Sequence, residues 1–75
     1  MPYIPKPKPC ILDSYEPYIV VNGRMVYRDG RFLYTWDELH GEVELFDKLG
    51  RHLGALDGVT GKRIKPAKKG KRLYV

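Results

Sequence analysis

A single cysteine, Cys10, in a chain of 75 residues excludes an intramolecular disulfide. No CxxC pair or Cys/His cluster at zinc spacing accompanies it, so a structural zinc site is excluded as well. A reducing compartment, or indifference to redox state, is the simplest setting. No long apolar run exists. The longest, Tyr18 to Val21, falls far short of the roughly 20 residues that span a bilayer, and no membrane partner is expected. Pro2, Pro5 and Pro7 interrupt the first residues and no apolar segment follows them, so no signal peptide is read and a cytoplasmic site of action is expected. Length excludes a second domain. We read residues 1–75 as one unit, with 1–22 an arm and short irregular or helical segment and 23–75 a sheet. A chain this short buries only about 60% of the surface its unfolded form exposes, which leaves its stability marginal.

The charge is uneven. Fourteen Lys and Arg face nine Asp and Glu, for a net charge of +5 and a pI near 9.5. Lys62, Arg63, Lys65, Lys68, Lys69, Lys71 and Arg72 follow one another with no acid between them, while most of the acids lie between Asp29 and Asp57. A basic balance points to a polyanionic partner such as nucleic acid, an anionic membrane or an acidic protein. Binding alone does not need an acidic centre beside the basic tail; a nuclease does.

Residues 1–9, MPYIPKPKP, read as an extended, polyproline-like arm, since proline excludes a helix and disfavours a central strand. Asp13 or Ser14 can cap one helical turn before Pro17 ends it. Tyr18–Val21 reads as a short strand. Arg24–Arg28 and Arg31–Asp37 flank Asp29-Gly30, a hairpin signal because both turn positions tolerate positive φ. Phe32, Tyr34 and Trp36 then share one strand face and Asp37 takes the other. Glu38 to Gly41 is a turn or bulge. Along Glu42–Asp47, Val43 and Leu45 fall on one face and Glu42, Glu44 and Phe46 on the other. Arg51–Leu56, Lys62–Ile64 and Lys71–Val75 complete the strand candidates, separated by turns at Lys48-Leu49-Gly50 and Asp57 to Gly61 and by a basic loop at Pro66 to Gly70. The expectation is a mainly β chain, α+β at most: a small antiparallel meander of about five short strands with a proline-rich N-terminal arm.

Asp37, His40, Glu42 and Glu44 fall within one short stretch. Cleaving RNA through its own 2′-hydroxyl needs a base for the 2′ proton, an acid for the departing 5′ oxygen, and positive charge on the pentacoordinate phosphorane. A carboxylate and a histidine can share the acid–base work, and the basic tail can supply the charge. No metal and no cofactor is needed when the 2′-hydroxyl is the nucleophile. On one strand Glu42 and Glu44 point the same way, about 7 Å apart, and His40 has the same parity unless Gly41 makes a bulge. Taken by themselves, such residues at a β-turn are more often a solvated edge than a site. A metal site of Asp37, His40 and Glu44 is a lesser alternative, since no standard ligand spacing is present.

Two motifs go further. Tyr34 to Glu44 reads Y-x-W-D-x-x-H-G-E-x-E, and His52 to Gly61 reads H-L-G-x-x-D-x-x-T-G. In this order and spacing, the stretch Arg31 to Lys65 resembles the C-terminal cytotoxic domain of the rRNA-cleaving E-group colicins and cloacin, over about half the chain. The resemblance implies a strongly curved antiparallel sheet and cleavage of 16S rRNA at the decoding site of the small ribosomal subunit, which halts translation. It implies Glu44 as general base, His40 as the other acid–base residue, Asp37 as the carboxylate that orients His40, and Glu42 as a further site carboxylate. The family's tail arginine falls at Lys69 when the C-termini are aligned, with Lys68, Lys71 and Arg72 as alternatives; Lys brings a point charge where Arg brings a bidentate fork. It further implies an acidic immunity protein or antitoxin, and either a larger bacteriocin or a free-standing toxin as the setting.

Around that centre, Lys62, Arg63, Lys65, Lys68, Lys71 and Arg72 are expected to meet RNA phosphates. Tyr34 and Trp36 are candidates for stacking on bases, although in so small a domain a core position suits Trp36 better. His52 reads as structural or RNA-facing, and Cys10 as inert packing. The rival reading is a non-catalytic RNA- or ribosome-binding β module that would not depend on Glu44.

Overall fold

Four aspartates set the turns. In a computed structural model that describes residues 3–74, Oδ1 of Asp29 accepts the N–H groups of Arg31 (3.1 Å) and Phe32 (3.0 Å). Asp37 does the same for Leu39 (3.0 Å) and His40 (3.3 Å), and Asp47 for Leu49 and Arg51, both at 2.9 Å. Asp57 takes Val59 and Thr60, both at 2.8 Å. Such side chains satisfy backbone donors that a tight turn would otherwise leave unpaired.

Between these turns run β1 (Glu16–Val21), β2 (Arg24–Arg28), β3 (Phe32–Asp37), β4 (Glu42–Asp47), β5 (His52–Leu56) and β6 (Arg63–Pro66). They form one open antiparallel sheet in chain order, preceded by a turn of 3-10 helix at Ile11–Ser14. The count is six rather than about five, because both outer segments join the sheet. Pro17 is tolerated in β1 since β1 is an edge, where the missing N–H leaves no ladder bond unmade. The sixth strand runs Arg63–Pro66, beginning one residue later and ending two residues later than the expected Lys62–Ile64. Of the expected strand over Lys71–Val75, only a single bridge between Arg51 and Arg72 forms, and Val75 lies outside the described residues.

One turn differs in kind from expectation. The positive-φ pair sits at Asn22 (φ 51°) and Gly23 (φ 79°), joining β1 to β2, and not at Asp29-Gly30. Asn-Gly adopts the conformation a two-residue hairpin needs. At Asp29 the side chain secures the turn instead, so the backbone stays at negative φ.

The sheet buries apolar residues on both faces. On one, Tyr34 and Val43 meet Cys10 and Leu12 from the N-terminal segment, with Tyr15, Trp36, Leu45 and Leu56 packed around them. The Tyr15 and Tyr34 rings stack with centroids 4.1 Å apart. On the other, Val26, Leu33 and Phe46 pack with Ile19, Val21 and Leu73. Leu12, Val26 and Val43 are fully buried, and each such side chain gains about 1.5–3 kcal/mol by leaving water.

The C-terminal stretch crosses the second face. Leu73 N–H donates to the Gly50 carbonyl at 2.8 Å, and His52 N–H to the Lys71 carbonyl at 3.3 Å. Gly50 makes the crossing possible: it sits at φ +85°, and a Cβ there would lie 1.9 Å from the Leu73 carbonyl oxygen. Only glycine combines that conformation with so close an approach.

Candidate active site

The β3–β4 register sets the site. Thr35 pairs with Glu44 and Asp37 with Glu42, so Leu33, Thr35, Asp37, Glu42, Glu44 and Phe46 share one face. At the Phe46 end of that face lies the small core; at the Glu42 end lie three buried carboxylates. Asp37, Glu42 and Glu44 each bring an oxygen within 4.8 Å of the others. Three charges so close need partners, and each has one.

Asp37 Oδ2 lies 2.7 Å from Nδ1 of His40. Burial alone would raise the Asp37 pKa, but hydrogen bonds from the His40 ring and from the N–H groups of His40 and Leu39 outweigh it and hold the carboxyl below its ordinary 3.8. The His40 side chain is 60% exposed, and with Nδ1 engaged its Nε2 is the nitrogen available to a ligand. Glu42 Oε1 takes Lys65 Nζ at 2.9 Å, and that hydrogen bond raises the ammonium above its ordinary 10.5.

Glu44 is held from two sides on one oxygen. Its Oε2 is hydrogen-bonded to Nε2 of His52 and meets Nζ of Lys71 at 3.1 Å. The far side of His52 is also fixed, because Nδ1 accepts the Lys68 N–H at 2.8 Å. An imidazole that accepts at Nδ1 carries its proton on Nε2, so His52 donates to Glu44. The edge of Phe46 against the His52 ring, 5.4 Å between centroids, completes the clamp. Oε1 of Glu44 takes neither His52 nor Lys71.

His40, Glu42, Glu44 and His52 line a hollow of about 330 Å³ together with Lys65, Lys68 and Lys71. Carboxylate, imidazole and ammonium groups facing one concavity can move a proton and meet a phosphate. The larger hollow of about 630 Å³ at the other end of β3 has no comparable set.

The expected residues therefore part company. Asp37, His40, Glu42 and Glu44 come together, and Lys65, Lys68 and Lys71 reach the same hollow. Lys69 does not line it; its side chain is exposed in the turn before Gly70. Lys62 and Arg72 are exposed outside it, and Arg63 bonds to the Leu53 and Lys65 carbonyls. Tyr34 and Trp36 face the opposite side of the sheet. Tyr34 is buried with its hydroxyl donating to Asp29 at 2.7 Å, a bond that, with burial foremost, raises its pKa. Trp36 Nε1 donates to the Ile4 carbonyl at 2.8 Å. His52, read from the sequence as structural or RNA-facing, instead touches Glu44. A bulge at Leu53, where the register passes from Leu45↔Gly54 to Phe46↔His52, turns it onto that face. The H-L-G motif was the one signal that marked it.

The family model described as Cytotoxic matches residues 22–74. Cloacin of Escherichia coli is 50% identical over 36 residues, which is 47% of this chain and 6% of cloacin. The chain thus spans a small part of the length of that curated relative.

Proposed function

The chain belongs to the Cytotoxic family of colicin-type toxin nucleases, and from that premise we propose that it is an endoribonuclease that cuts 16S rRNA at the decoding site of the ribosome and halts translation. The observation that carries the reading is Glu44, buried and held through Oε2 by His52 and Lys71 while facing the same hollow as His40. Glu44 removes the proton of the 2′-hydroxyl, whose oxygen attacks phosphorus. Lys71 stabilises the charge that builds on the phosphorane. His40, oriented by Asp37, protonates the departing 5′ oxygen. The products are a 2′,3′-cyclic phosphate and a 5′-hydroxyl. Lys65, steadied by Glu42, sits beside the same phosphate, and the exposed tail cations hold the neighbouring backbone.

The chemistry on this reading runs without a metal. The support is that Asp37, Glu42 and Glu44, which could together ligate a cation, are each already bonded to an imidazole or an ammonium. The partners follow from charge: ribosomal RNA as substrate, and an acidic immunity protein or antitoxin that competes for the basic surface and protects the producing cell. The site of action is the cytoplasm, where ribosomes are.

Primer extension on rRNA from purified ribosomes, with EDTA present, tests the proposal using the wild type and Glu44→Gln. A new stop near the 3′ end of 16S rRNA with the wild type, reduced about 10²–10⁴-fold in rate with Glu44→Gln, is expected. Absence of any stop with inhibitor-free wild type would sink the reading in favour of an RNA-binding module. A stop that EDTA abolishes would return the three carboxylates to a metal.

A further inference from the structure

The second hollow, about 630 Å³, opens where the β2–β3 and β4–β5 turns meet. Arg28, Arg31, Lys48 and Tyr18 are among the residues that line it. Two acids also line it, and both are engaged. Asp29 is spent on the Arg31 and Phe32 N–H groups and on the Tyr34 hydroxyl, and Glu16 meets Arg28 at 3.4 Å. Arg28 lies over the Tyr18 ring, 4.5 Å from its centroid. Arg31 and Lys48 are exposed, and among the described residues their side chains make no hydrogen bond or ion pair. Two unspent cations and a guanidinium backed by an aromatic ring thus surround one concavity.

Charge connects this hollow to the first. Lys71 contacts Glu44; the next residue, Arg72, reaches the Leu49 carbonyl at 3.4 Å on the turn that carries Lys48; Arg31 and Lys48 then share the second hollow. The distance fits a strand of nucleic acid. Phe32 pairs with Asp47 at this end of the β3–β4 ladder and Asp37 with Glu42 at the other, five residues apart and therefore about 17 Å. A stacked strand advances about 3.4 Å per nucleotide, so about five nucleotides bridge the two.

We propose that the second hollow is an RNA subsite. It holds single-stranded RNA flanking the cleaved phosphodiester, with phosphates against Arg31 and Lys48 and a base stacked on the Arg28 guanidinium that Tyr18 supports. The inference rests on the reading of the chain as an RNA-cleaving protein.

Fluorescence anisotropy with labelled, unstructured RNA tests it, in a Glu44→Gln background that prevents cleavage, with and without Arg31→Ala and Lys48→Ala together. Both side chains are exposed and outside the catalytic hollow, and a thermal melt checks that the fold persists. For RNA of about ten nucleotides, long enough to cover both hollows, binding is expected to weaken about tenfold. The slope of log K against log salt should become shallower by about 1.4, at about 0.7 per phosphate on a single strand. RNA of about three nucleotides, which can occupy one hollow at a time and not both, should lose less affinity than the longer RNA. In the active background the double substitution is expected to raise KM on ribosomes and leave kcat unchanged. Equal affinity and equal salt slope on the longer RNA would overturn the subsite. So would unchanged RNA binding with weakened binding of an acidic inhibitor protein, which would give the hollow to a protein partner. If the wild type cut no RNA, the nuclease reading would fall, and the anisotropy result would still decide the subsite.

Discussion

At Glu44 one carboxylate oxygen is held and the other is left for chemistry, and that division makes His52 a positioning residue. Removing the ring in His52→Ala leaves the Glu44 carboxylate held by Lys71 alone and strips the Lys68 N–H of its acceptor. We expect kcat for rRNA cleavage to fall by about 10–100-fold with KM little changed, the size of effect seen when an orienting partner is lost. His52→Gln, whose amide can still donate to Glu44, should recover part of that loss; a purely structural role would move the melting temperature without this recovery. A second contrast separates two lysines. Lys71 bonds to Glu44, whereas Lys69 stands exposed outside the hollow. Lys71→Ala is expected to lower kcat by about 10²-fold, as removal of a transition-state donor does, and Lys69→Ala to leave kcat near wild type. Single-turnover cleavage of ribosomes reads both. Residues of the two kinds differed in how far the sequence revealed them. Asp37, His40, Glu42 and Glu44 sit in one short stretch, where strand parity alone puts both glutamates on one face. His52 and Lys71 arrive from later in the chain, through a bulge and a crossing that no period in the sequence encodes.

At the scale of elements, strand alternation was legible and its punctuation only partly so. β2 and β3 follow aromatic and β-branched runs, and β4 follows the run Glu42–Asp47 in which acids alternate with apolar residues as far as Leu45. The Asp29-Gly30 and Asn22-Gly23 pairs look equivalent as letters, but a side chain that caps its own turn removes the need for positive φ, and only the second pair adopts it. Nor does sequence show what the tail does, because the tail is fixed by Gly50, which carries no side chain to read. A methyl group at Gly50 would strike the Leu73 carbonyl, whose own residue anchors Lys71 and Lys68 near the site. Gly50→Ala should therefore act twice. The φ of +85° alone costs an L-residue about 1–2 kcal/mol, which lowers the melting temperature of a domain this size by about 4–16 °C. Displacement of the tail should also lower cleavage at temperatures where the variant is still folded. Thermal melts and rate measurements well below the melting range separate the two effects; a variant that loses stability while its folded fraction cuts at the wild-type rate would show that the tail can dock without this crossing.

Across the whole molecule the four turn-forming aspartates act in concert, and their common behaviour fixes how stability responds to acid. The carboxyls of Asp29, Asp37, Asp47 and Asp57 all lie below their ordinary value of 3.8 in the folded chain. For Asp29 and Asp37 burial opposes the shift, and hydrogen bonds outweigh it: from Tyr34 and the N–H groups of Arg31 and Phe32 to Asp29, and from His40 and two N–H groups to Asp37. For Asp47 and Asp57, both half-buried, backbone N–H donors lead: Arg51 for the first, and Thr60 followed by Val59 for the second. A carboxyl whose folded pKa is depressed binds its proton more readily in the unfolded chain. Its stabilising contribution is complete above the unfolded value and disappears as pH falls through the folded value. Stability should thus be flat with respect to these groups at neutral pH and decline below about pH 3.8, with the turns failing together because adjacent hairpins share strands. Net charge sharpens the decline, since a chain already at +5 gains further positive charge as its acids protonate. Tryptophan fluorescence followed during acid titration reads this directly through Trp36, whose ring packs on the face behind the site. Asp37→Asn removes one of the four titrations while keeping an amide oxygen to accept from Leu39 and His40. It should be less stable than the wild type at neutral pH and lose less stability between neutral pH and pH 3. Wild type and variant that fall in parallel over that range would show that Asp37 carries no share of the acid response.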